Sequence, residues 1–236
     1  MRGLTLLLPT LDEAESLASV IRRIPRDTIE SAGYQLRVVV VDGGSTDGTK
    51  QIAQSLDCET IQQAGGRGKG NGLREAFQHF MQTEDELLVI MDADGTYRPE
   101  EIAGFLEHLG PPDVEIVIGS RMKGVIGPGA MTRRNYVGNQ ILTWLAVVLY
   151  SRYVSDLCTG YWAFKRSAIE KMRLNSTGFE IEAEMYTSAV HENINMTEIP
   201  IHYDPRIGQS KLGSIRDGIR IAMKLLKRRF IRQPRS

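Results

Sequence analysis

Two carboxylates separated by one residue follow an apolar segment of the chain. Asp92 and Asp94 flank Ala93 directly after Leu87–Met91, a segment that reads as a buried strand. Carboxylates at positions i and i+2 of a strand end can share one hard divalent cation, which usually keeps water ligands and bridges to substrate phosphates. A polar turn after a buried strand produces the same pattern, so the place of this pair in the fold decides between the two interpretations.

A glycine-rich segment, Gly65–Gly72, contains the cations Arg67 and Lys69. Backbone amides in such a loop can approach phosphates closely, which makes Gly68 and Lys69 candidate phosphate contacts. The spacing fits neither the P-loop, which needs Ser or Thr after the lysine, nor the dinucleotide fingerprint. A flexible surface loop is the alternative interpretation.

Further polar residues follow the apolar strands or lie in loops. Asp42 ends the strand Leu36–Val41, where its carboxylate can accept hydrogen bonds from a base or a ribose, or build a turn that caps the next helix. Four loop cations are individually typical of surfaces, but as a set they suit phosphate oxygens: Arg121, Arg133, Arg134 and Lys211. The histidines show no metal-ligand spacing, and no Ser-His-Asp or Cys-His arrangement is evident.

The elements around these residues alternate between strand and helix. The predicted strands are Leu4–Leu8, Leu36–Val41, Glu59–Gln62, Leu87–Met91 and Val114–Ile118, and the predicted helices are Glu13–Arg23, Thr49–Leu56, Leu73–Gln82 and Pro99–Leu109. Such alternation predicts an α/β domain with a mostly parallel sheet flanked by helices. Ligands bind beyond the carboxyl ends of such strands, where Glu13, Asp42, Asp92 and Asp94 fall. This placement favours the metal interpretation of the acidic pair.

Composition excludes several classes of protein. The chain has 236 residues, of which 42% are hydrophobic and 25% charged, as in ordinary globular domains. Its 29 acidic and 29 basic residues cancel, whereas a general nucleic-acid binder has a basic excess. Cys58 and Cys158 form no disulfide framework and no zinc cluster, so reduced thiols in the cytoplasm are the simpler expectation.

The ends of the chain bear on membranes. Leu4–Leu8 is too short for a signal peptide, and Ile141–Tyr150, the longest apolar stretch, is about half the ~20 residues of a membrane-spanning helix. Apolar residues recur at three- and four-residue spacing from Ile215 to Phe230, among many basic residues. This pattern predicts an amphipathic basic helix, which either packs on the domain with a solvated face or lies on an anionic membrane surface. We therefore expect a catalytic domain over 1–212 and a surface helix over 213–236.

The ordered motifs resemble a known family. The set Pro9-Thr10 with Glu13, Val41 to Thr49, Gly68-Lys69-Gly70, Asp92-Ala93-Asp94 and Gly119-Ser120-Arg121 is similar to the family 2 glycosyltransferases of GT-A fold, which is Rossmann-like. Two later segments, Asp156 to Phe164 and Gly208 to Leu212, resemble the polyprenyl-phosphate glycosyltransferases such as dolichol-phosphate mannose and glucose synthases.

The resemblance implies roles for individual residues. Asp92 and Asp94 would hold Mg²⁺ or Mn²⁺ against the donor diphosphate, and these two residues with Arg121 would be catalytic. The nucleotide-sugar would contact Pro9, Thr10, Leu11, Glu13, Asp42, Gly68, Lys69, Asp92 and Ala93. The phosphates of the donor or acceptor would contact Arg121, Arg133, Arg134 and Lys211. An acidic role falls to Asp156 or Glu182.

Two departures from the family pattern matter. Gly95-Thr96-Tyr97 stands where the mannose synthases carry Leu-Gln-His, and Thr96 supplies no amide oxygen to a metal. Many relatives also append transmembrane helices, so membrane contact would rest on the C-terminal helix and on Ile141–Tyr150, with Trp144 and Tyr150 at the interface.

The expected function is inverting transfer of a hexose from a UDP-hexose or GDP-mannose to a polyprenyl phosphate, at the cytoplasmic face of a membrane. The alternatives are a family 2 transferase with a soluble sugar or small phosphorylated acceptor, a nucleotidyltransferase, and a nucleotide-sugar-binding scaffold without turnover.

Overall fold

A single sheet forms the centre of the molecule in a computed structural model, which describes residues 1–208 and 215–231. Its strands in the described ranges are β1 Arg2–Thr10, β2 Tyr34–Asp42, β3 Glu59–Gln62, β4 Leu87–Ile90, β5 Ile116–Ile126, β6 Trp162–Lys165 and β7 Met196–Tyr203. Their order across the sheet is β3-β2-β1-β4-β6-β5-β7. Neighbours are parallel except at β6, which is antiparallel to β4 and β5. The mostly parallel α/β sheet is therefore confirmed.

Helices cover both faces of this sheet. They are α1 Ala14–Arg22, α2 Arg26–Ser31, α3 Thr49–Ser55, α4 Lys69–Met81, α5 Ile102–Leu109, α6 Arg133–Tyr150, α7 Arg166–Lys171, α8 Ile181–His191 and α9 Ile215–Phe230, with a 3-10 turn at Pro99–Glu101. The apolar clusters place α1, α3 and α5 on one face, and α4, α6, α7, α8 and α9 on the other.

Strand sequences explain this double cover. Successive side chains of a strand point to opposite faces, and in β2 Val38 and Val40 join one cluster while Val39 and Val41 join the other. A strand buried on both faces is a continuous apolar run, which is the pattern of β1, β2 and β4.

Helix α4 begins earlier than the sequence predicts. We expected a loop over Gly65–Gly72 and a helix from Leu73, but the helix starts at Lys69. Gly70 lies inside it because a side chain would not fit: a Cβ at Gly70 would lie 2.6 Å from the backbone oxygen of Ser176. Close packing, rather than flexibility, accounts for this glycine.

Helices α6 and α9 pack against each other and expose apolar side chains. The Tyr150 hydroxyl donates to the backbone oxygen of Leu225 at 2.8 Å, so Tyr150 contacts α9 and is not the exposed anchor that we expected. Trp144 is 66% exposed, and its place at a membrane interface stays a prediction. Among residues 1–208 and 215–231, no helix is both long and apolar enough to cross a bilayer.

Candidate active site

The predicted acids meet at one edge of the sheet. Strands β1, β2 and β4 are parallel, so their carboxyl ends bring Glu13, Asp42 and the Asp92–Asp94 segment to the same side. A cavity of about 350 Å³ opens there. This is the edge at which α/β sheets bind ligands, and the expected placement of the acids is confirmed.

Most of the expected nucleotide contacts line this cavity. They are Pro9, Thr10, Leu11, Glu13, Gly68, Lys69, Asp92 and Ala93, joined by Asp94. Loop residues after β1 and β4 form one wall, and the start of α4 forms another. The sequence therefore brings together residues that are more than 80 positions apart in the chain.

Lys69 bridges two carboxylates at the base of the cavity. Its Nζ lies 2.6 Å from Asp92 Oδ1 and 2.7 Å from Glu182 Oε1. Lys69 is in the first turn of α4 and Glu182 in the first turn of α8, so the ion pairs fasten both helices to the end of β4. Glu182 is 6% exposed and Asp92 keeps a partly exposed side chain.

Burial and charge shift the pKa values of this trio. Burial lowers the pKa of the Lys69 ammonium, but Asp92 and Glu182 raise it by more, so the group stays protonated. Burial raises the pKa of Glu182, and the negative Asp92 raises it further, while Lys69 opposes both. Lys69 therefore remains an ammonium between the two acidic side chains.

Asp94 is held from two sides. The backbone N–H and hydroxyl of Thr96 donate to its Oδ1 at 2.9 and 2.5 Å, and Arg206 forms an ion pair with its Oδ2. Arg206 NH1 also lies 3.7 Å from Glu13 Oε1. Thr96, which marks a departure from the family pattern, thus orients the carboxylate.

The start of α4 rests on the segment before α8. The backbone N–H of Asn71 donates to the Thr177 carbonyl at 3.3 Å, and Gly68 packs so tightly against Thr177 that it leaves no space for a Cβ. Glu184 orders this segment, because its Oε2 accepts from the backbone N–H groups of Asn175 and Ser176 at 2.8 and 2.6 Å. The fully buried Glu184 thereby stabilises the segment on which the start of α4, with the candidate phosphate contacts Gly68 and Lys69, packs.

Asp42 builds a turn beneath the cavity wall. Its carboxylate accepts from the backbone N–H groups of Gly44 and Ser45 and from the Ser45 hydroxyl, while its neighbours Val41 and Gly43 line the cavity. Asp42 itself is 2% exposed and is outside the lining. The expected turn is present, and within it Asp47, not Asp42, accepts from the first backbone N–H of α3 at 3.0 Å. The contact of Asp42 with a nucleotide stays a prediction.

Arg121 and Asp156 form a separate buried pair. Arg121 donates to the two carboxylate oxygens of Asp156 at 2.7 and 2.6 Å, and Asn139 donates to the same carboxylate at 2.9 Å. Burial lowers the pKa of Arg121, but Asp156 raises it by more. The guanidinium lies 5.0 Å from the centre of the Tyr203 ring. Neither member of the pair lines the cavity.

Two of the other expected phosphate contacts lie outside the cavity lining, and a third falls beyond the described residues. Arg133 and Arg134 are exposed at the start of α6, and Lys211 is outside the described residues. Sequence reasoning missed Arg206, which lines the cavity with Arg67 and Phe179. The available signal was its place two residues before Gly208, where the last family motif begins.

The cavity fits a hard divalent cation in its donor chemistry. Three carboxylates line it, from Glu13, Asp92 and Asp94, and their oxygens are the ligands that such an ion prefers. The lining also contains three cations, Arg67, Lys69 and Arg206, so its charged side chains balance. Within the described residues no group of three or more His, Cys, Asp or Glu side chains converges as a metal site. Asp92 and Asp94 would therefore share an ion with phosphate or water oxygens, as Mg²⁺ prefers.

Similar structures share this architecture. Glucosyl-3-phosphoglycerate synthase from Mycobacterium tuberculosis in complex with UDP superimposes with a TM-score of 0.73 at 17% identity, covering 100% of this chain and 82% of that one. The same enzyme with Mn²⁺, UDP and phosphoglyceric acid gives 0.74 at 18%, covering 100% and 80%. The GT-A fold that the resemblance implies is confirmed.

Sequence relatives give the family. Glycosyltransferase AglJ of Haloferax volcanii is 36% identical over 97% of this chain and 73% of its own length. The hexosyltransferase Agl6 of the same organism is 35% identical over 92% of this chain and 51% of its own length. Polyprenol monophosphomannose synthase of Mycolicibacterium smegmatis is 28% identical over 92% and 83%. Residues 5–173 match the model of Glycosyl transferase family 2, and the chain is a glycosyltransferase that belongs to this family.

Proposed function

We propose that this glycosyltransferase moves a hexose from a nucleotide-sugar to a polyprenyl phosphate, with inversion at the anomeric carbon. The observation that carries the proposal is the cavity at the ends of β1 and β4, which contains the acidic pair and a lysine from the glycine-rich segment. The similarity to polyprenol monophosphomannose synthase supports the lipid acceptor.

The donor occupies the cavity in this proposal. Pro9, Thr10, Leu11 and Glu13 contact the nucleoside, and Asp42 shapes the wall from beneath through Val41 and Gly43. Gly68 and Lys69 face the diphosphate at the start of α4, where helix N–H groups favour anions. A Mg²⁺ or Mn²⁺ ion held by Asp92 and Asp94 would stabilise the charge on the leaving nucleoside diphosphate.

The acceptor phosphate needs no strong general base. It is already ionised near neutral pH, whereas a sugar hydroxyl must lose a proton as it attacks. The two acids for which an acidic role was expected are both engaged, so neither is free to act as a base: Asp156 is held by Arg121 and Asn139, and Glu182 by Lys69. These contacts favour a phosphate oxygen as the nucleophile, forming a bond to the anomeric carbon as the bond to the diphosphate breaks.

The acceptor side comprises Arg121, Arg133, Arg134 and Lys211. Arg133 begins the exposed row of α6 that continues through Val137, Ile141, Trp144 and Val148. An apolar row that begins with a cation suits a lipid with a phosphate head, because the head stays near the bilayer interface.

Helix α9 extends this apolar surface. Five of its apolar side chains are exposed at helical spacing: Ile215, Ile219, Met223, Leu226 and Phe230. We place residues 1–212 as the catalytic domain and 213–236 as the surface contact, with the enzyme peripheral on the cytoplasmic face of the membrane. The basic residues of α9 would meet anionic headgroups there.

The donor is a UDP-hexose or GDP-mannose. UDP in the similar glucosyl-3-phosphoglycerate synthase supports the first, and the mannose synthase supports the second. Thermal-shift measurements with UDP- and GDP-sugars plus Mn²⁺ separate them, since the cognate donor raises the melting temperature more.

A soluble acceptor is the second candidate. It is favoured by the fold match to an enzyme crystallised with phosphoglyceric acid. A radiolabelled donor assay with polyprenyl phosphate and 3-phosphoglycerate compares the two acceptors directly. Label in the lipid phase supports the proposal, and label confined to the aqueous phase contradicts it.

Asp94→Ala tests the acidic pair. We expect transfer to fall at least ~100-fold, because the leaving diphosphate loses stabilisation of several kcal/mol. Asp113→Ala, which removes an exposed carboxylate far from the cavity lining, should keep normal transfer. Asp94→Asn preserves the shape of the side chain if the alanine variant unfolds. Unimpaired transfer by either folded Asp94 variant rules out the metal role.

A further inference from the structure

A second cavity lies between α4, α7 and α9, with a volume of about 1090 Å³. We call it the basic groove. None of its lining residues lines the nucleotide cavity, so it is a distinct feature of the fold. The proposed reaction assigns it no role.

Positive charge dominates the basic groove. Its lining contains five cations and one acid: Arg74, Arg173, Lys224, Lys227, Arg228 and Glu170. Lys224 and Arg228 share a single carboxylate, with Nζ 3.3 Å and NH1 3.7 Å from Glu184 Oε1. Adding Glu184 to the lining still leaves three more positive than negative charges.

Burial makes part of this excess costly. Arg228 is 4% exposed and the Lys224 side chain is 14% exposed, so two nearly buried cations share the one carboxylate of Glu184. Arg74 and Arg173 are half-buried, and Lys227 is exposed. Charges in such surroundings are normally paired, since water no longer screens them. An anion in the basic groove would balance the positive charge that Glu184 leaves.

The walls of the basic groove are also apolar. Phe77 and Met81 of α4 line it together with Ile169 and Met172. Cations beside apolar walls suit an amphiphile with an anionic head and an apolar body, rather than a small inorganic anion.

The basic groove borders the exposed apolar row of α9. Successive residues of a helix are about 100° apart, so Lys227 of the groove lies next to Leu226 of the row. Arg216 and Arg220, both exposed, fall on the same flank of the row as Lys227. The groove therefore opens at the edge of the surface that faces the membrane in our proposal.

We propose that the basic groove binds the headgroup of one anionic phospholipid. The groove would anchor α9 beside anionic lipid while the catalytic cavity stays free. The inference depends on the proposed function only for the orientation of α9, and its test needs no transfer activity.

The test uses dihexanoylphosphatidylglycerol below its critical micelle concentration, followed by calorimetric titration of the full chain. We expect saturable binding of one lipid per chain, and at least tenfold weaker binding for the double variant Arg74→Glu/Arg173→Glu, about 1.4 kcal/mol. Arg229→Glu changes an exposed charge outside the groove lining and should bind like the unsubstituted chain.

Control ligands and control variants distinguish binding of an anionic lipid from other causes. Dihexanoylphosphatidylcholine, whose headgroup has no net charge, should not bind. The neutral variant Arg74→Gln/Arg173→Gln serves if the charge-reversed chain fails to fold. Equal binding of inorganic phosphate, equal binding by the folded groove variants, or no saturable binding would overturn the proposal. UDP-sugar binding by the same variants should be unchanged.

Discussion

The nucleotide cavity and the exposed apolar surface formed by α6 and α9 differ in whether their side chains find partners within the chain. In the cavity each carboxylate of the acidic pair has a cation from the same chain, Lys69 or Arg206. On the surface, apolar side chains such as Trp144 and Phe230 are more than half exposed. The cavity satisfies its polar groups internally, whereas the surface leaves its apolar area to water.

This difference indicates what kind of binding partner suits each region. A ligand that brings both a metal ion and phosphates can replace the ion pairs of the cavity. The metal ion would then pair with the carboxylates and the phosphates with the cations, so that no charge is left without a partner. Apolar area is covered only by another apolar phase, and large exposed patches mark partner or membrane surfaces. Substitutions in the two regions should therefore affect different measurements.

Lys69→Met should have the largest effect. It leaves Asp92 and Glu182 without their shared cation, and loss of one partner of a buried pair costs about 3–5 kcal/mol. Urea denaturation measures the free energy of unfolding. Lys171→Met breaks a half-exposed pair with Glu115 and should cost less than ~1 kcal/mol.

The sign of the pH dependence sharpens this test. Lys69 opposes the upward shift in the pKa of Glu182, so its removal raises that pKa further above the unfolded value. A carboxyl with a raised pKa in the folded state binds protons more tightly there, and its folded state gains stability as the pH falls. The deficit of Lys69→Met should shrink from pH 8 to pH 5. A constant deficit would contradict the buried ion-pair assignment.

Trp144→Glu should have an intermediate effect, on membranes alone. The side chain is 66% exposed, so the free energy of unfolding should change by less than about 0.5 kcal/mol. If Trp144 inserts into the bilayer as we propose, its replacement by a charged side chain should weaken vesicle binding about tenfold or more. Vesicle co-sedimentation measures this binding.

Gln54→Glu is the matched control, with the same charge change at an exposed site of α3 on the other face of the sheet. Nucleotide-sugar binding should be unchanged in both variants. Equal loss of vesicle binding in the two would show that charge alone, and not the α6 surface, decides membrane contact.

Asp204→Asn should have the smallest effect. Arg98 donates to Asp204 at 2.6 and 2.8 Å, and this hydrogen bonding lowers the pKa of the carboxyl. A lowered pKa stabilises the folded state above the unfolded pKa, and the gain is lost as the pH falls through the folded value. We expect about 0.5 kcal/mol at pH 7, since the pair is partly exposed, and a smaller loss as the pH falls through the folded pKa of Asp204. A loss as large as that of Lys69→Met would remove the contrast between buried and exposed pairs.

The donor half of the fold was predictable because its signals are local. Apolar runs of strand length located β1, β2 and β4, and the parallel arrangement then placed Glu13, Asp42 and Asp92 at one edge. The strand Glu59–Gln62 matches its prediction residue for residue.

The partners of the charged groups were not predictable. Lys69 and Glu182 are distant in the chain, and Arg206 reaches Asp94 from a loop with no strand or helix pattern. The sequence shows that these residues are charged, but which of them form ion pairs depends on how α4 and α8 pack. The same applies to Asp156, whose engagement by Arg121 follows only from the fold.

Glu184 connects the C-terminal helix α9 to the nucleotide cavity. Its carboxylate contacts Lys224 and Arg228 of α9 with one oxygen and orders Asn175 and Ser176 with the other. That segment is the floor on which Gly68 and Gly70 rest. Removal of α9 would leave the buried Glu184 carboxylate without Lys224 and Arg228, so we expect a shortened chain to bind a nucleotide-sugar more weakly as well as to lose the exposed apolar row of α9.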